Sequence, residues 1–349
     1  QVYTNKYLDL ITWLAKDAQN WDHVAQIDED DRGPIPKVNV SVKLSALDSQ
    51  IDVKAFEKSK ERMKERVRPL FRLAMERNVF LNIDMESYDL KDFTIAVFKD
   101  LLMEPEFKTY AHWGIVIQAY LRDSLKDIKD LVEFAKRRGT IFTVRVVKGA
   151  YWDYETVHAQ STGWPVPVYT DKRESDANYE DCALAMLQNV QYLRMAVASH
   201  NVRTVAAVLV QAERLGVDPR AFEIQMLFGM ADPIKKALVK QGLRVREYAP
   251  VGELIPGMAY LDRRLLENTS NQSFLRSKFA DGISTEQLLK DPKEGLTPTS
   301  SDPYTLETSK KIRFKNEPLL DFGIEENRTR IRQTLADSKA YAAGQEHPL

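Results

Sequence analysis

Between residues 38 and 252 the chain alternates short apolar runs with longer stretches whose apolar residues recur at helical spacing. The runs at 38–47, 80–86, 113–120, 141–147, 195–200, 222–228 and 245–250 are rich in Val, Ile, Phe or Met and predict strands. Such runs fit a parallel sheet covered on both faces better than a half-exposed antiparallel one, in which polar residues would alternate cleanly. Helices are predicted at 53–76, 125–137, 179–193 and 202–215; in the last, Val205, Val208, Leu209 and Ala212 recur at helical spacing. Asn78, Gly139, Gly216 and Gly242 sit where helices should end.

Strands alternating with helices predict an α/β fold, either an open doubly wound sheet or a closed (βα)8 barrel of the TIM type. Two features favour the barrel. No G-x-G-x-x-G follows a first strand, so the usual dinucleotide-binding turn of the open fold is missing. Nearly every strand run also ends in a polar or charged residue: Lys43, Asp84, Gln118, Arg145 with Lys148, His200, Gln225 and Tyr248. In a TIM-type barrel these ends converge on one face and build the active site; the alternative is that strand ends are simply wet. A barrel needs eight strands and seven runs are present, so the first strand is expected upstream of Gln1, with 3–21 as the helix that follows it. Residues 1–279 are expected to form the barrel. Residues 280–349 are expected to be an irregular linker, rich in Gly, Pro, Ser, Thr and charge over 281–303, with a final helix at Glu325–Ala343.

Charge changes this picture little. Fifty basic and 51 acidic residues leave a formal net charge of −1, so no global field recruits nucleic acid or a membrane surface. No apolar run approaches the roughly 20 residues of a membrane span, and no basic-then-apolar leader precedes the first helix. The single cysteine, Cys182, allows no intramolecular disulfide, fits a reducing compartment, and lies in a helical run where a buried inert thiol is expected. A cytoplasmic location is expected, with any contact at the inner membrane peripheral. The chain opens on Gln with helix-like sequence at once, and a fragment of a longer protein is expected.

Three constellations could carry chemistry. In Tyr260-Leu261-Asp262-Arg263-Arg264, helical spacing puts Tyr260, Arg263 and Arg264 on one face. Two guanidinium groups beside an aromatic ring suit a small carboxylate, which arginine can hold through paired hydrogen bonds; a solvated basic face with Tyr260 in the core is the alternative. The run Arg145-Val146-Val147-Lys148-Gly149-Ala150-Tyr151-Trp152 offers two cations, two small residues and two aromatics at a strand end. Small residues let a backbone approach a ligand closely, and aromatics can flank a flat cofactor; a structural loop with incidental charge is the alternative. Lys43 and Asp84 could form a structural ion pair or hold a zwitterionic substrate. His200 has no nucleophile motif beside it and is expected to hydrogen-bond a cofactor rather than move protons. No metal is expected, because one cysteine and five scattered histidines show no ligand spacing.

Together these segments resemble the proline dehydrogenase family, and within it the barrel domain of the bifunctional proline utilization A enzymes. The resemblance runs in order from about residue 38 to 279. It is carried by Val42-Lys43-Leu44-Ser45-Ala46-Leu47, Ile83-Asp84-Met85-Glu86, Val116-Ile117-Gln118-Ala119-Tyr120, the run 144–152, Ala198-Ser199-His200-Asn201, Tyr248-Ala249-Pro250-Val251-Gly252 and the run 260–268. The segment 314–328 is similar to the lead-in to the aldehyde dehydrogenase half of those enzymes. The resemblance implies an FAD enzyme that oxidises L-proline to Δ1-pyrroline-5-carboxylate by hydride transfer to the flavin and passes electrons to a membrane quinone, with a homo-oligomer expected. It implies that Lys43, Arg263 and Arg264 bind the proline carboxylate, and that Tyr151, Leu227, Tyr248 and Tyr260 pack around its ring. Asp84 would sit between substrate and flavin. Gln118, Arg145, Lys148, Gly149, Ala150, Trp152, Ser199, His200, Asn201, Gln225 and Glu267 would contact FAD, with Ser199 standing where relatives carry threonine. Lys43, Asp84, Arg145 and Tyr248 are the residues expected to serve catalysis. The competing expectations are a barrel enzyme for a phosphate-bearing substrate, with Arg145 and Lys148 as its ligands, and a scaffold or regulatory domain without catalysis.

Overall fold

The computed structural model describes residues 2–253, 255, 257, 258, 260–263, 284–301 and 317–343. Seven strands pair in parallel in strict chain order: β1 (Asn39–Val42), β2 (Phe80–Ile83), β3 (Trp113–Gln118), β4 (Phe142–Val147), β5 (Leu193–Ala198), β6 (Phe222–Leu227) and β7 (Val245–Tyr248). Helices cover the outside: α1 (Val2–Asp17), α2 (Phe56–Glu76), α3 (Lys91–Met103), α4 (Ser124–Arg138), α5 (Trp152–Thr162), α6 (Lys172–Leu187), α7 (Val202–Arg214) and α8 (Asp232–Lys240). The sheet is curled as in a TIM-type barrel. Tyr248 at the end of the last strand bonds Asp84 just past the second, 164 positions away in sequence. The eighth strand expected upstream of Gln1 lies outside the described residues.

Strand register explains both faces of the sheet. Ser41 pairs with Asn82, Asn82 with Gly114, and Gly114 with Thr143; further up, Ala196 pairs with Glu223, Ala198 with Gln225, and Gln225 with Arg246. Paired residues share a face, so this polar set points into the barrel. The intervening Val40, Val42, Leu81, Ile83, Ile115, Val144, Val146, Met195, Val197 and Ile224 are buried against the helices. The strands therefore do alternate, contrary to the expectation of uniformly apolar runs. Both faces are buried, and the inner one is lined by hydrogen-bonded polar groups. The outer core includes Trp113 stacked on Phe71 at 4.1 Å between ring centres, and burying such a side chain stabilises by about 1.5–3 kcal/mol.

Several boundaries move. The first strand stops at Val42, because residues after Lys43 turn into a short helix, Leu44–Leu47. The helix expected at 179–193 runs instead from Lys172 to Leu187; the Asp171 carboxylate caps it by accepting the Arg173 N–H at 2.8 Å. Helix α5, with Trp152 as its first residue, begins at the end of the run 145–152, and no helix is predicted there. Asn78, Gly139, Gly216 and Gly242 all adopt positive φ at helix ends. Cys182 is buried, and burial pushes its thiol up to about 12, which keeps it unreactive.

The C-terminal parts lie along the barrel. Arg122 donates to the Thr299 carbonyl at 3.0 Å, Val166 N–H to the Ser301 carbonyl at 2.7 Å, and the Trp164 indole to the Leu319 carbonyl at 2.6 Å. Helix α9 (Glu325–Ala343) starts against the barrel, with Arg328 buried over the Phe56 ring at 4.0 Å. Beyond Ile331 its described side chains are exposed. Among the described residues no helix is long and apolar enough to cross a membrane.

Candidate active site

Four of the polar residues at the strand ends, Asp84, Arg145, Gln225 and Tyr248, meet inside the mouth of the barrel. Arg145, on β4, donates Nη1 to Asp84 Oδ1 at 2.7 Å, Nε to Gln225 Oε1 at 2.6 Å and Nη2 to Ser41 Oγ at 3.0 Å. The other Asp84 oxygen accepts the Tyr248 hydroxyl at 2.9 Å, and Asn82 Nδ2 donates to Oδ1 at 3.1 Å. Arg145 also lies over the Tyr248 ring, 5.2 Å from its centre. Burial, followed by the negative charge of Asp84, pushes the Tyr248 phenol well above its ordinary range, so its proton stays on the oxygen and is shared with Asp84. Ser41, Asp84, Arg145, Gln225 and Tyr248 come from five different strand ends, with Asn82 and Asp84 sharing one, and register brings them to one level.

The aromatic residues gather beside this cluster. Tyr248 and Tyr260 stack with ring centres 6.4 Å apart. One helical turn on, the Arg263 guanidinium lies 5.9 Å from the centre of the Tyr151 ring. Tyr260 and Arg263 thus approach Tyr248 and Tyr151 from one side, as their three-residue spacing requires. Leu227 shares a face and a register pair with Tyr248, and its N–H donates to His200 Nε2 at 3.0 Å. That bond makes Nε2 an acceptor and so fixes the imidazole tautomer. Arg264 and Glu267 lie outside the described residues.

The second constellation is partly engaged elsewhere. Lys148 forms an ion pair with Asp176, which also holds Lys172 at 2.8 Å. Burial depresses the Lys148 amine below the usual lysine range despite that partner. Gly149 has φ of 140°, and a Cβ there would stand 2.4 Å from the Tyr120 ring, so only glycine fits. Ala150 is exposed, and the Trp152 indole donates to the Tyr169 carbonyl at 2.9 Å. Ser199 Oγ accepts the Asn201 N–H at 3.1 Å, and Asn201 in turn caps α7 by accepting from Arg203 N. Gln118 donates to the Glu86 carbonyl at 3.2 Å, while its Oε1 is buried without a hydrogen-bond partner among the described residues.

The structural ion pair between Lys43 and Asp84 does not form, because Arg145 occupies the Asp84 carboxylate. Lys43 stands one residue past β1, half-buried, with its backbone against the Tyr7 phenol. Sequence reading missed Ser41, Asn82, Asp176 and Glu223. The first two and Glu223 occupy alternate positions within strand runs, a period-two signal that was legible. Nothing in the sequence singles out Asp176, which reaches the site only because α6 packs across β4. Among the described residues no three His, Cys, Asp or Glu side chains converge as metal ligands would.

Comparison with known proteins gives a consistent relationship. A family model described as proline dehydrogenase matches residues 1–277. The bifunctional protein PutA of Salmonella typhimurium is 36% identical over 273 residues, which span 76% of this chain and 20% of that protein. Proline dehydrogenase 2 of Bacillus subtilis is 31% identical over 236 residues, 68% of this chain and 67% of that one. Among solved structures, proline utilization A from Bdellovibrio bacteriovorus inactivated by N-propargylglycine superposes with a TM-score of 0.92 at 60% identity, covering 97% of this chain and 35% of that one. A parallel barrel with this cluster at its mouth, matched by a family model over most of the chain, makes this chain a member of the proline dehydrogenase family.

Proposed function

We propose that this chain carries the flavin-dependent oxidation of L-proline to Δ1-pyrroline-5-carboxylate, as one part of a longer bifunctional enzyme whose electrons go on to a membrane quinone. The single observation that carries this reading is the hydrogen-bonded cluster of buried Arg145, Asp84 and Gln225 with half-buried Tyr248 at the strand ends, flanked by Tyr260 and by Arg263 over Tyr151. A small amino acid needs a cation for its carboxylate and an apolar wall for its ring. Arg263 would supply the first and the three tyrosines with Leu227 the second. Lys43 and Arg264 are assigned to the same carboxylate.

The residues present fit a flat cofactor. Gln118 Oε1 is a buried acceptor awaiting a donor, Gly149 keeps the β4 end free of a side chain, and His200 and Gln225 stand on neighbouring strand ends. Gln118, Arg145, Lys148, Gly149, Ala150, Trp152, Ser199, His200, Asn201, Gln225 and Glu267 would hold FAD, which supplies a hydride acceptor when bound. The protein's own part is orientation. Asp84 is fixed by Arg145 on one oxygen and by Tyr248 on the other, so neither is free to rotate when substrate enters. The buried guanidinium of Arg145 places positive charge at the reacting end of the site, where negative charge accumulates during oxidation. Residues 1–279 are assigned to this barrel and 280–349 to its connection with a further domain.

An absorbance spectrum of the full-length protein, taken before and after anaerobic addition of L-proline, tests this directly. We expect a flavin band that bleaches with proline. A flavin band indifferent to proline would overturn the substrate, and intact protein without any flavin band would overturn the cofactor.

A further inference from the structure

The cluster at the barrel mouth does not stand alone. Below it, two residues earlier on β6 and on the same inner face, Glu223 is buried at 8% exposure. All its acceptor positions are taken. Oε1 accepts Arg246 Nε at 2.9 Å and Gln225 Nε2 at 2.5 Å; Oε2 accepts Arg246 Nη2 at 3.1 Å and Arg244 Nε at 3.2 Å. Burial alone would raise this carboxyl, but Arg246 and Arg244 hold it down at about 2. It is a carboxylate, and a carboxylate can only accept hydrogen bonds.

Gln225 stands between Glu223 and Arg145. A primary amide presents a donor at one end and an acceptor at the other, and the two ends look alike in shape. Because Glu223 only accepts, the Gln225 amide must turn its NH2 downward. Its oxygen then faces up to Arg145 Nε at 2.6 Å, and Arg145 faces Asp84 at 2.7 Å. We propose that Glu223 is a positioning residue for the reaction: by tethering the Gln225 amide, it aims Arg145 at Asp84. This rests on the function proposed above, in which Arg145 and Asp84 are the working groups. Glu223 itself touches neither substrate nor cofactor in this scheme.

The test uses the full-length flavoprotein and two substitutions. Glu223→Gln removes the charge and puts an NH2 among donors: turned one way it faces Gln225 and breaks the tether, turned the other it faces Arg244 and Arg246 and loosens the side chain that holds the tether. Glu223→Asp keeps the charge between Arg244 and Arg246 but falls one methylene short of Gln225, and it serves where Glu223→Gln does not fold. In rapid-mixing experiments, we expect proline to reduce the bound flavin ~10–100-fold more slowly in either variant, the scale of effect produced by misplacing a working group by about 1 Å. The KM for proline should stay close to wild type, because Arg263 holds the carboxylate independently. In a Gln225→Met background the same substitutions should add nothing further. An equal loss with and without Gln225, or a wild-type rate in a folded variant, would overturn the proposal. A crystal structure of Glu223→Asp separates the two ideas. Arg145 displaced from Asp84, in a protein whose wild type ignores proline, would keep the positioning role and sink the substrate; Arg145 still at Asp84 would sink the positioning role.

Discussion

Asp84 receives three donors on two oxygens, from Arg145, Asn82 and Tyr248, and at the residue scale this explains why its neighbours matter more than its own identity suggests. Buried charges are tolerated when every lone pair is met, and losing one partner leaves the rest stranded. Arg263 is different. Its guanidinium lies over the Tyr151 ring and, under the proposed function, is the group assigned to the proline carboxylate. Replacing Arg263 with Met should therefore raise the KM for proline ~10–100-fold, the value of a charged hydrogen bond, while flavin content stays that of the wild type. Steady-state kinetics with unchanged KM would remove Arg263 from the clamp. Arg263 was readable from its spacing to Tyr260. The partner of Asp84 was not, because a lysine and an arginine on strand ends are equally plausible until the register is known.

At the scale of elements, helix α5 is one that no helical periodicity marks in advance. It places Glu155 in a buried pocket between the Tyr88 turn and the C-terminal segment. Burial, then the nearby Asp89 and Asp321 carboxylates, outweigh the Tyr88 N–H that Glu155 accepts at 2.7 Å, and push Glu155 up to about 7. Asp321, which lies between α5 and α9, is raised as well, again first by burial. A carboxyl raised in the fold binds its proton more tightly there than in the unfolded chain, so stability falls as pH rises from about 4.5 to about 7. Glu155→Gln keeps the acceptor for Tyr88 and removes the charge. Its melting temperature should match wild type at pH 5 and exceed it by ~2–4 °C at pH 8, the shift produced by roughly 1 kcal/mol in a domain of this size. Parallel melting curves at both pH values would rule out Glu155 as the titrating group. The amphipathic signal of α5 is weak because polar and apolar residues mix on its faces, which is why periodicity alone does not mark it.

On the scale of the whole molecule, the described C-terminal segments dock through a few anchors: Arg122 to Thr299, Trp164 to Leu319, and Arg328 over Phe56. Beyond Ile331 the described side chains of α9 are exposed. A chain ending at Ile331 should therefore melt within ~1–2 °C of the full chain, since exposed positions contribute little. One ending at residue 316 should lose several degrees, as it gives up Arg328 and the buried Asp321. Circular dichroism melts decide this, and a large loss from the shorter deletion would show that the outer half of α9 is packed. Sequence by itself determined the alternation of seven parallel strands with helices, the left-handed helix ends at Gly139 and Gly216, and the inert buried cysteine. Each follows from local periodicity or backbone preference, which acts over a few residues. The ordered motifs also carried the family. Tertiary structure alone decided that Arg145 rather than Lys43 holds Asp84, that Asp176 neutralises Lys148, and that Glu223 tethers Gln225. These pairings depend on sheet register and on how the helices pack across the curled barrel, neither of which a local pattern encodes.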